Sequence, residues 1–149
     1  MDFYDSTRPG EIPAGSHACL YFDGLYKATA EEAARFAAVR WITVLGGAAA
    51  AAHTGCADYE QGNPVFDGTA LREWVEARKA MNCRARVYTD LANLGKAMAQ
   101  VEGLPNVVWW LATLDGNKLH ATYVERLWGV QYAGGPDAAY DESVLYGTW

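Results

Sequence analysis

One unit recurs along this 149-residue chain: a short apolar or β-branched run that ends in an acid, followed by a loop or a helix. Phe3-Tyr4-Asp5 is the first instance and Ala18 to Asp23 the second. Cys56-Ala57-Asp58-Tyr59-Glu60 comes next, then Ala85 to Asp90 and Val107 to Asp115. Trp41 to Leu45 and Trp128 to Tyr132 are two further strand candidates, ending in Gly47 and in Ala133-Gly134-Gly135-Pro136. Helical patterns lie between them. Thr29-Ala30-Glu31-Glu32 resembles a capping box and opens a helix to about Arg40. Leu71, Trp74, Val75 and Arg78 share one face, predicting a helix from Thr69 to Met81 that stops at Asn82. Asp90 or Thr89 caps a third, Leu91 to Val101, with Leu91, Leu94 and Met98 turned inward. Gly46 to Ala52 reads either as one weak helical turn or as a small-residue packing surface.

Strands alternating with helices argue for a parallel sheet, and seven or eight short strands for a closed barrel. A full (β/α)8 barrel takes about 200 residues or more. The expectation is therefore an α/β fold, an abbreviated and irregular TIM-like (β/α) barrel, with residues 1–149 forming a single domain and some helices replaced by loops. In such barrels the site forms at the C-terminal ends of the strands. Asp5, Asp23, Asp58, Glu60, Asp90 and Asp115 all fall there. Three of them have simpler explanations: Asp90 as a helix cap, Asp115-Gly116-Asn117 and Asp23-Gly24 as turns. Asp5, Asp58 and Glu60 do not.

Composition narrows the chemistry. A net charge of -6 without a basic stripe argues against nucleic acid and against docking on anionic membranes. The acidic start Met1 to Asp5 has no apolar core of a signal peptide, and no apolar run is long enough to span a bilayer. The expectation is synthesis in a cytoplasm, with action elsewhere requiring release or carriage by a virion. Cys19, Cys56 and Cys83 are odd in number and predict reduced core thiols. His17-x-Cys19 and His53-x-x-Cys56 match no structural zinc spacing, so neither a metal nor another cofactor is expected.

Asp58 and Glu60 alternate on one strand and so project to one side, with Cα atoms roughly 6.5 Å apart. Two acids this close do not both ionise easily, and one keeps its proton to higher pH. A protonated acid beside an ionised one is what cleavage of a glycosidic bond requires. Six Trp and nine Tyr exceed the needs of a small core, and sugars stack on aromatic faces. Tyr59, Tyr88, Trp110 and Tyr132 are candidate walls of such a groove. Trp74 and Trp109 read as core, since Trp109 and Trp110 face opposite ways.

These residues, taken in order, resemble a known family. Tyr4-Asp5-Ser6 looks like its first-strand Asp, and Asp58-Tyr59-Glu60 like its Asp-x-Glu. Arg86-Val87-Tyr88-Thr89, Val108 to Ala112 and Trp128-Gly129-Val130-Gln131-Tyr132 look like its later strands. Asp141, before Ser143 to Gly147, looks like its terminal Asp ahead of a closing apolar strand. The family is glycoside hydrolase family 25, the Chalaropsis-type lysozymes common among phage endolysins and bacterial muramidases. The resemblance spans nearly the whole chain, although the family's aromatic-His strand before the Asp-x-Glu is replaced by Trp41 to Gly47. It implies a monomeric peptidoglycan hydrolase that cleaves the β-1,4 bond between N-acetylmuramic acid and N-acetylglucosamine. It also implies roles: Glu60 as general acid, Asp58, Asp5 and Asp141 as flanking acids, Gln131 and Tyr132 among the substrate-binding groups. Retention, inversion or attack by the substrate's own N-acetyl group all remain open from sequence. A non-catalytic wall-binding or virion module on the same barrel is the alternative.

Overall fold

The computed structural model describes residues 1–118, 125–135 and 137–149; Pro136, named above at a strand end, lies outside them. Eight strands close into a barrel in sequence order. They are β1 (Asp2–Asp5), β2 (His17–Tyr21), β3 (Ala38–Thr43), β4 (Cys56–Asp58), β5 (Ala85–Asp90), β6 (Val107–Ala112), β7 (Leu127–Ala133) and β8 (Asp141–Leu145). Strands β1 to β7 pair in parallel, whereas β8 runs antiparallel to both β7 and β1. The barrel is thus mixed. Among the described residues its α-helices are α1 (Ala30–Ala33), α2 (Gly47–Ala51), α3 (Ala70–Ala80) and α4 (Leu94–Gln100).

Alternation along each strand sorts side chains into an inside and an outside. Phe3, Cys19, Ile42, Cys56, Trp110 and Trp128 meet inside the barrel. Phe3 is the hub, with ring centroids 5.1 Å from both Trp110 and Trp128. The residues of opposite phase, Ala57, Tyr59, Val87 and Trp109 among them, pack outward against Leu71, Trp74 and Val75 of α3. Trp74 is fully buried and its indole N–H donates to Thr54 Oγ1 at 2.9 Å. Strand β7 carries one extra residue opposite Trp109 and Trp110, which brings both Trp128 and Gly129 to the interior face. Gly129 is needed there: a Cβ would press on the Phe3 ring at 3.3 Å.

Two helices differ from expectation. The capping box of Thr29 and Glu32 forms, but α1 ends at Ala33 and the chain is already extended by Ala38. Phe36, Val39 and Trp41 explain this, because they pack with Ile12, Leu20 and Ala28 in an outer cluster that a continued helix would leave uncovered. In α4 the inward face is Leu94, Ala97 and Val101, while Leu91 and Met98 are exposed. Asp90 is the cause. Its carboxylate accepts from the backbone N–H and the side-chain amide of Asn93, so a turn consumes 90–93 and the helix starts a turn later. Helix α3 and the left-handed stop at Asn82 (φ 56°) follow the sequence reading closely.

Candidate active site

The barrel interior is apolar at mid-height and acidic at one end. Asp5 is the last residue of β1 and Asp58 the last of β4. Asp141 is the first residue of β8, and because β8 is antiparallel it lies opposite Asp5 across the strand pair. Directly opposed residues of antiparallel strands share a face, with Cβ atoms about 5 Å apart. Glu60 follows two residues after Asp58, on the same side. Asp5 and Asp58 are almost wholly buried, whereas Glu60 and Asp141 are partly exposed at the rim.

Burial raises all four, and neighbouring carboxylates add to it at Asp5, Asp58 and Glu60. Asp5 is pushed well above the usual carboxylate range by burial first, then by the charges of Asp141, Asp58 and Glu60. Asp58 rises from 3.8 to about 8, through burial and the neighbouring Glu60, against the hydrogen bonds from Tyr21 and Asn63. Glu60 is raised by burial and by Asp90 and Asp141, although a hydrogen bond from Tyr88 opposes the shift. Asp141 is raised by burial, restrained by donors from Gly135 and Gln131. One oxygen each of Asp5 and Asp58 is buried without any hydrogen-bond partner among the described residues. A buried carboxylate oxygen without a donor is costly when charged, which reinforces protonation.

The supports of these acids come from every side. Tyr21 donates its hydroxyl to Asp58 Oδ2 at 3.2 Å, and the Asn63 amide donates to the Asp58 carbonyl at 3.2 Å. The Gly135 N–H donates to Asp141 Oδ1 at 2.7 Å. Gly134 (φ 128°) has no room for a side chain, because a Cβ there would overlap the Asp141 carboxylate. Tyr21, Asn63, Gly134 and Gly135 were not singled out from the sequence. Tyr21 was discoverable, since it shares the interior phase of Cys19, which also faces the barrel interior. Beside the mouth, a cavity of about 360 Å³ is lined by Tyr21, Leu25, Tyr26, Leu45 and Asn63. Leu25 is 87% exposed, an apolar surface left open next to the acids.

The aromatic candidates separate clearly. Tyr88 is at the mouth, hydrogen-bonded to Glu60 and held well above its usual pKa by burial and the carboxylates. Gln131 reaches Asp141 from the neighbouring strand. Tyr59 does not line the groove: it has the opposite phase to Asp58 and Glu60, is fully buried against Phe66 in the outer layer, and accepts from Gln100. Tyr132 also faces outward, donating to Glu142 at 2.8 Å beneath the Lys118 ammonium. Trp110 is inside the barrel but 1% exposed, with its N–H on Ser143 Oγ at 3.0 Å, so it is floor packing rather than an open wall. Trp109 is core, as its phase predicts.

The remaining strand-end acids are structural. Asp23 accepts from Thr43 Oγ1 at 2.5 Å and from the Val44 N–H at 2.8 Å, tying the ends of β2 and β3. Asp115 closes its own turn with Thr113 and Asn117. Among the described residues no three metal-ligating side chains come together, and no helix is long and apolar enough to cross a membrane. Searches of family models, of curated proteins and of solved structures give no match for this chain.

Proposed function

We propose that this barrel is an abbreviated, irregular (β/α) barrel of the TIM kind and that it hydrolyses peptidoglycan as an N-acetylmuramidase of the type found in glycoside hydrolase family 25. The observation that carries the reading is the acid set: four carboxyls from β1, β4 with its following loop, and β8 meet in one mouth. A module that only binds sugar has no need for carboxyls crowded until they hold protons, because doing so sacrifices stability.

Glu60 is the general acid. It is the rim member of the Asp58–Glu60 pair, its pKa is raised, and Tyr88 holds its orientation. It would donate to the oxygen leaving between the two sugars. Asp141 helps raise that proton and, when ionised, faces the oxocarbenium-like charge as it develops, while Asp5, held well above the usual carboxylate range, flanks it as a neutral acid. Asp58, protonated at neutral pH, is a poor base or nucleophile. This disfavours direct attack by Asp58; the route through the substrate's own N-acetyl oxygen would use the ionised form of Asp58, which the hydrogen bonds from Tyr21 and Asn63 favour, to accept from the acetamido N–H. The open cavity bordered by Tyr21, Leu25 and Tyr26 is the groove's continuation for further sugars.

The test is release of new reducing ends from purified cell walls, comparing the parent with Glu60→Gln. The parent should release them, and the variant should be slower by about a hundredfold or more at unchanged secondary structure. Wall binding by the parent without release would replace this reading with a non-catalytic carbohydrate-binding module.

A further inference from the structure

The opposite end of the barrel carries the reverse charge. Arg40 on β3 and Arg86 on β5 both point into the interior below Cys19 and Cys56. Arg86 is only 6% exposed. Their guanidinium groups converge on Gly55: a Cβ built there would lie 3.7 Å from Nη1 of each. Both stack on tryptophan, Arg86 at 5.0 Å and Arg40 at 5.9 Å from the Trp128 ring, with Arg40 also 5.2 Å from Trp149. Stacking engages the face of a guanidinium and leaves its edge N–H donors unused. Nε of Arg40 and Nε of Arg86 are buried without a hydrogen-bond partner among the described residues. The ion pairs of the described residues involve Arg8, Arg72 and Lys118, not these two.

An arginine cannot shed its proton to escape such a position. The buried Nε–H of each is a charged donor left without an acceptor, a cost that a neighbouring ring face offsets only in part. An anion set between the two guanidiniums would supply the acceptor. Arg78 adds to the positive field from the rim but has its own donors occupied by the carbonyls of Ala51 and Arg84. A polar cavity of about 200 Å³ lies on the Arg40 side of Gly55, lined by Arg40, Trp41, His53, Thr54, Gly55 and Arg78, with Arg86 just behind Gly55. Gly55 keeps the gap between the two guanidiniums open because it has no side chain to fill it.

We propose that the base of the barrel is a binding site for a phosphoryl group, held by the edge N–H donors of Arg40 and Arg86 beside Gly55. Two fixed positive charges match a dianion better than a carboxylate, which brings one charge, and guanidinium edges suit the oxygens of a tetrahedral anion. The site goes beyond the hydrolase reading and does not depend on it.

Calorimetric titration of the full chain with inorganic phosphate tests this, at low salt and about pH 7.5, where a phosphoryl dianion prevails. Thermal unfolding in phosphate and in sodium chloride of equal ionic strength runs beside it. One saturable site is expected, with a Tm in phosphate several degrees above that in chloride. Arg40→Gln and Gly55→Ala should each weaken binding roughly tenfold, the first by removing a charged partner and the second by filling the gap. Gly55→Ala meets only ordinary contacts, so it keeps the test valid even if an arginine variant unfolds. Absent binding heat, a Tm rise that chloride reproduces, or unchanged affinity in both variants would overturn the site and leave the arginines as stacked core residues. A glycerol phosphate arm identifies the source. Equal affinity points to a phosphoryl group on a larger molecule, rejection to the free ion, and both uphold the site.

Discussion

The two ends of this barrel solve the same electrostatic problem in different ways. At one end Asp5, Asp58, Glu60 and Asp141 crowd like charges together; at the other Arg40, Arg86 and Arg78 do so. Carboxyls relieve burial and crowding by taking up protons: burial raises all four, and neighbouring carboxylates raise Asp5, Asp58 and Glu60 further. Guanidiniums have no such exit. Burial depresses Arg86, the Cys56 thiol pulls the other way, and Arg40 and Arg78 depress it further, yet it stays charged. The local thiols feel this field too. Burial disfavours a Cys56 thiolate, but a hydrogen bond from Cys19 and the nearby arginines outweigh it and hold Cys56 below its usual value. The lesson is that a mouth of acids becomes a store of protons, whereas a mouth of arginines becomes a receptor for anions.

The contrast can be broken most decisively by Glu60→Gln. Clearing of a wall suspension should fall by about a hundredfold or more, while phosphate affinity at the far end stays unchanged. Parallel losses would mean that the ends are not independent. Next in size is Gly134→Ala, whose Cβ would displace the Asp141 carboxylate at a backbone angle that side chains avoid. Unfolding in urea should show a loss of about 2–4 kcal/mol, together with lost activity. A variant as stable as the parent would show that this corner is soft.

Asp58→Asn sharpens the proton-store side. Its folded pKa of about 8 exceeds the ordinary 3.8, so the native state binds this proton more tightly than the unfolded chain does. The contribution is intact below about pH 4 and is lost as the pH climbs through about 8. Parent stability should therefore decline across that window. The asparagine variant should decline less and overtake the parent at the alkaline end by on the order of 2 kcal/mol. Identical Tm-against-pH curves would exclude a displaced proton at this position. The smallest effect belongs to Tyr21→Phe. Removing a hydrogen bond that favours the Asp58 anion should raise that pKa further and cost about 1 kcal/mol, read as a shifted pH–rate profile with slight loss of rate. A profile that does not move would separate Tyr21 from the proton balance.

Much of the barrel was legible because strand alternation is a two-residue code that survives tertiary context. The runs around Asp5, Asp58, Asp90 and Trp110 became strands with the expected faces, and the opposite fates of Trp109 and Trp110 follow from adjacency alone. Helix phase was less legible. It depends on where a turn lets the helix begin, and the Asn93 bonds to Asp90 moved that point in α4. Tyr59 shows the same alternation neglected: placing Asp58 and Glu60 on one face commits the residue between them to the other. The direction of β8 was not legible, since a strand reads identically either way, and neither was the convergence of Arg40 and Arg86, which are far apart in sequence and meet only on closure.

Strand β8 forms the seam, bonded to β7 on one flank and to β1 on the other, and Asp141 rides on it. Without β8 the acidic cup loses the strand that carries Asp141, whose charge adds to the burial that raises Asp5 and Glu60. Any ligand that prizes the seam apart, or any substitution that loosens it, would disarm the cup and relax the charge strain together.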